Sequence, residues 1–134
     1  MEEILYDSEI VTLRYDKSKS IMELQWKKNT NSDVYKEMFN KAIECSKKNT
    51  IRYFLSDMRN EGLVRIHDMK WLEIEVLKRA IEHKLQRIAL VFEDIIFSTV
   101  YAETIKKKLQ NSPIQVRFFS DINSARAWLF SQEE

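Results

Sequence analysis

Apolar and polar residues alternate over two stretches near the start of the chain. Val11, Leu13 and Tyr15 alternate with Thr12 and Arg14; Met22, Leu24 and Trp26 alternate with Glu23 and Gln25. A period of two marks strands buried on one face. The polar run Asp16-Lys17-Ser18-Lys19 between them predicts a turn, and so an antiparallel hairpin. The spacing then becomes helical. Val34, Met38, Ala42 and Cys45, with Tyr35, Phe39 and Ile43, predict a helix over about 32–47 capped by Asn31 or Ser32. A strand over 52–56 follows, then a loop over 58–67 that holds the only glycine, Gly62. Asp68 reads as the cap of a second helix carrying Leu72, Val76, Leu77, Ala80 and Ile81.

The segment Arg87-Ile88-Ala89-Leu90-Val91-Phe92 is nearly all apolar. A strand buried on both faces reads this way, which places it centrally in a sheet. Phe97, Tyr101, Ile105 and Leu109 predict a third helix, and Pro113, the only proline, marks its exit. A strand over 114–119 leads to Asp121, which caps a last helix turning Ala125, Trp128 and Leu129 inward. Strands alternating with helices imply parallel strands joined by right-handed crossovers. The expectation is an α/β domain: a mixed sheet of about five strands with an N-terminal hairpin, flanked by about four helices.

Composition narrows the class. The 134 residues fit one domain, and no Pro/Ser-rich linker or repeat divides them. The hydrophobic fraction of 44% is enough for a single core. Lys+Arg total 22 and Asp+Glu 21, a net charge of +1 that argues against a dedicated nucleic-acid binder. One cysteine, Cys45, excludes an internal disulfide and fits a reducing cytoplasm, the expected location. Met1-Glu2-Glu3 does not open a signal peptide, and no apolar run reaches the roughly 20 residues of a membrane span.

Three stretches resemble the SpoIIAA-like family, among the STAS domains of sulfate transporters and anti-sigma-factor antagonists. The first is Ser56-Asp57, with Arg59 and then Asp68-Met69-Lys70-Trp71 at a helix start. The second is the basic-then-apolar strand Arg87-Ile88-Ala89-Leu90-Val91. The third is Phe119-Ser120-Asp121 followed by Ala125-Arg126-Ala127-Trp128-Leu129. The resemblance implies a SpoIIAA-like (STAS) fold across nearly the whole chain. In the family's antagonists, a strand ends in Asp followed by a serine that a kinase phosphorylates. Here Asp57 matches the aspartate, but Met58, Arg59 and Asn60 follow it. The resemblance therefore implies a non-enzymatic interaction or ligand module without the usual phosphorylatable hydroxyl.

The expected contact surface is the loop from Asp57 to Trp71, with Asp57, Arg59, Asp68 and Trp71 on it and Phe97 nearby. Asp57 and Arg59 form either a ligand-binding pair or a local ion pair that shapes the loop. A second hypothesis is a small apolar-ligand or lipid carrier with Trp71, Ile96 and Phe97 as pocket walls; such a pocket needs at least roughly 300 Å³. A third gathers Asp57, Glu93, Asp94 and Asp121 at the carboxyl ends of strands around Mg²⁺, as in a phosphoryl receiver or phosphatase. Against it, Asp94 and Asp121 suit caps and turns. His67 and His83 have no second histidine in register for a metal, and Cys45 sits on an apolar helical face as an inert thiol. No cofactor is expected. The partner is an unidentified protein or a small apolar ligand, and a homodimer through an edge strand or helix face is compatible.

Overall fold

A computed structural model of the chain describes residues 2–27, 32–59, 75–92 and 103–131. These form a sheet of six strands in sequential order. The strands are β1 (Glu2–Asp7), β2 (Val11–Asp16), β3 (Ile21–Trp26), β4 (Tyr53–Asp57), β5 (Arg87–Val91) and β6 (Gln115–Phe119). The helices are α1 (Ser32–Lys48), α2 (Leu77–Glu82), α3 over 103–109, and α4 (Ile122–Leu129).

The hairpin forms as its alternation predicts. β2 and β3 pair antiparallel, Val11 opposite Trp26 and Asp16 opposite Ile21. Asp16 Oδ1 accepts from the amide of Ser18 at 3.0 Å, fixing the turn locally. β3 through β6 are parallel. The sequence reading gave about five strands, and the sixth is β1. It pairs antiparallel with β2, with a register shift between Ile4 and Tyr6. The extra residue there, Leu5, breaks the period of two and leaves an apolar triplet with no strand signature.

Two cores lie on opposite faces of the sheet. On one, Tyr35, Met38, Phe39 and Ala42 of α1 pack with Leu77, Ile105 and Leu109 against Leu13, Met22, Leu24, Ile88 and Leu90. Three helices thus share one face, as crossovers of one hand between strands in sequential order require. On the other face, Ala125, Trp128 and Leu129 of α4 pack on Leu55, Ala89, Val91 and Ile21. β5 is sandwiched between the two cores, with residues 88–92 all buried. Its apolar run follows from that position.

One side chain fixes α4. Arg87 Nη1 donates to the carbonyls of Trp128 at 2.6 Å and Ser131 at 2.9 Å. Its guanidinium also lies 5.2 Å from the Trp128 ring centroid. A cation at a helix C-terminus satisfies carbonyls that have no helical partner and opposes the dipole. Arg87→Ala is therefore expected to destabilise the domain by about 2–3 kcal/mol in urea unfolding, since charge-assisted hydrogen bonds are lost. Arg87→Lys is expected to recover only part, because an ammonium lacks the planar fork.

Candidate functional site

Asp57 ends β4 on the face that carries α4, beside Gln25 of β3. It is 2% exposed, yet it is ionisable. A carboxylate so placed needs a partner in the protein. Arg59 supplies it with two parallel bonds, Nε to Oδ1 at 2.9 Å and Nη2 to Oδ2 at 2.8 Å. The amide of Arg59 adds a third at 3.3 Å. The Arg59 side chain remains 32% exposed. The two thus form a local ion pair with a buried acid. It also sits at the edge of a polar concavity.

That concavity, of about 540 Å³, lies beside α4 on the same face of the sheet. Its walls include Glu2, Arg14, Glu23, Gln25, Asp57, Arg59 and Arg126. Arg126 on α4 grips Glu23 on β3 with Nε at 3.1 Å and Nη2 at 2.7 Å. This hydrogen bond, with Glu23's charge, raises the Arg126 pKa further above its ordinary value. Arg14 reaches Glu2 at 3.2 Å and donates to Gln25 Oε1 at 3.0 Å. A smaller hollow of about 180 Å³ shares Glu2, Arg14, Glu23 and Arg126, and adds Asp16, Lys19 and Phe130. The two form one groove along the sheet between α4 and β1.

Sequence reasoning named Asp57 and Arg59 of this groove, but not Glu2, Arg14, Glu23 or Arg126. The groove's residues are the polar half of the alternating strands, which reads as an ordinary solvent face. Glu23 and Arg126 are 103 positions apart, so no local spacing announces them. Asp68, Trp71 and Phe97 lie outside the described residues, as do Glu93 and Asp94. Among the described residues no three His, Cys, Asp or Glu side chains come together to hold a metal.

On the opposite face, Ser56 is 1% exposed, and its Oγ has no hydrogen-bond partner among the described residues. It borders a small apolar cavity of about 80 Å³ with Met22, Phe39, Phe54, Leu77 and Ile88. His83 Nδ1 and Ser46 Oγ bond to each other among its lining residues, joining the C-terminal ends of α1 and α2. Met58, following Asp57, is 3% exposed and belongs to this core. Cys45 is half-buried, and burial pushes its thiol pKa up.

The geometry defines a class: an α/β domain of one mixed sheet, with a charged strand end beside α4. The SpoIIAA-like family matches residues 21–130. The chain belongs to the SpoIIAA-like family. A crystal structure of an uncharacterized protein from the DUF3478 family with a SpoIIAA-like fold, from Shewanella loihica PV-4, superposes with a TM-score of 0.59. The two share 17% identity, over 96% of this chain and 92% of that one. That likeness concerns the fold. No curated protein matches the chain.

Asp121 shows the cap expected of it. Its Oδ1 accepts from the amide of Ser124 at 2.8 Å, and α4 starts one residue later. The bonds from Ser124 hold its carboxyl below the usual 3.8. A lowered folded pKa contributes stability above the unfolded value, lost as pH falls through the folded one. Asp121→Asn keeps a capping oxygen that does not titrate there. Urea midpoints between about pH 5 and pH 2 are expected to fall less steeply for the variant than for the parent.

Proposed function

We propose that this protein is a non-enzymatic interaction module whose binding does not depend on its own phosphorylation. One observation carries the reading. At the end of β4, where a switch hydroxyl would follow the aspartate, Met58 is buried in the core and Asp57 is clamped by Arg59. Ser56, the neighbouring hydroxyl, points into the opposite core and is closed to a kinase. The carboxylate is likewise engaged by a cation of its own chain rather than presented to Mg²⁺ or a phosphoryl donor. What remains is a fixed, charged surface, which suits recognition by complementarity.

A second reading, a carrier of small apolar ligands, is favoured by the unpartnered Ser56 hydroxyl beside the apolar cavity. Buried polar groups normally have a partner, and a ligand with one polar atom would provide it. The cavity is about 80 Å³, however, well below the roughly 300 Å³ of ordinary ligand sites. Carriage would require it to widen.

Native mass spectrometry of the protein isolated from its own cells separates these readings. The expected result is the bare chain within a protein complex that survives phosphatase treatment. A stoichiometric phosphate whose removal dissolves the complex would overturn the first reading. A copurified small molecule would favour the second.

A further inference from the structure

We propose that the chain self-assembles head to tail, the β6 edge of one copy receiving the β1 edge of the next so that one sheet runs on into its neighbour. This goes beyond the interaction-module reading and does not rest on it.

The topology comes first. β1 and β6 stand at the two ends of the strand order. β1 is antiparallel to β2 and β2 to β3, while β4, β5 and β6 follow β3 in parallel. β1 and β6 therefore point the same way. A copy displaced along the sheet lays its β1 parallel to β6, with like faces on the same side. Both edges present apolar side chains to solvent: Ile4 is 57% exposed, Leu5 37% and Phe118 41%. An exposed apolar edge strand is a template for pairing with another chain. β6 keeps an unbroken register on β5, and neither proline nor lysine interrupts it.

The charges choose the pairing. β1 carries Glu2, Glu3 and Asp7 and no base; β6 carries Arg117 and no acid. Two β1 edges, or two β6 edges, would gather charges of one sign, which destabilises a strand pair. β1 against β6 brings opposite signs together on both faces. Glu3 stands opposite Tyr15, on the face that α1 and α3 cover, and is exposed. On the same face of β6, Lys106 of α3 holds its Nζ 5.2 Å from the ring centroid of Phe118, which places a cation at that edge. On the α4 face, Glu2 and Ile4 of one copy meet the exposed Arg117 of the other. The bulge at Leu5 shortens the stretch of β1 that pairs regularly, so the contact is weak and depends on concentration.

Analytical ultracentrifugation of the full chain over a concentration series tests this. The mass is expected to rise past two chains with concentration, because unlike edges leave one of each free, and to fall as salt is added. Glu3→Lys and Lys106→Glu are each expected to weaken the association at least about tenfold, and the two together to recover it. Arg117→Glu, at an exposed position, is expected to weaken it likewise. Lys78→Glu, exposed on α2, makes the same change of charge and is expected to leave the association as it was. Thermal midpoints near the parent's are expected throughout. A chain that stays monomeric overturns the proposal, as does an association that stops at two chains or a double variant that fails to recover. None of these results touches the interaction-module reading, which the phosphatase treatment decides.

Discussion

A buried carboxylate at the end of a central strand constrains everything around it. Asp57 is nearly inaccessible, and a bare charge there would cost several kcal/mol. Arg59, two residues on, answers it with a two-pronged grip. That answer fixes a guanidinium beside the strand end. It also engages both carboxylate oxygens. Replacing a buried ion pair with apolar residues is often neutral or stabilising, so the pair contributes shape more than net stability.

The sheet supports this arrangement through unequal coverage. Among the described residues, three helices pack on one face and α4 packs on β4, β5 and β6 of the other. Arg87 holds α4 in place by its C-terminal carbonyls, and Asp121 holds its start. With both ends tied, Arg126 projects from a fixed helix toward Glu23 on a fixed strand. The charges of the groove are arranged as pairs, which preserves the near-neutral balance of the whole chain.

Much of this fold is legible in the sequence, for identifiable reasons. The alternation of Val11, Leu13 and Tyr15 states directly that one face of β2 is buried. The unbroken run from Ile88 to Val91 states that β5 is covered twice. β1 escaped because the Leu5 bulge hides its alternation. The site was less legible. The spacing of Asp57 and Arg59 shows a pair, but not that the acid is buried. The groove is assembled from β1, β2, β3 and α4, whose charged residues meet only after the sheet forms. Local spacing carries no trace of contacts between positions 23 and 126, or between 87 and 128.

The most direct measurement is a double-mutant cycle on Asp57→Ala and Arg59→Ala, read by urea unfolding. If the two side chains grip each other in the folded protein, their coupling is expected at about 1.5–3 kcal/mol. Additive losses, with coupling below about 0.5 kcal/mol, would contradict the clamp. The strand end would then have to be read again as a carboxylate available to a ligand.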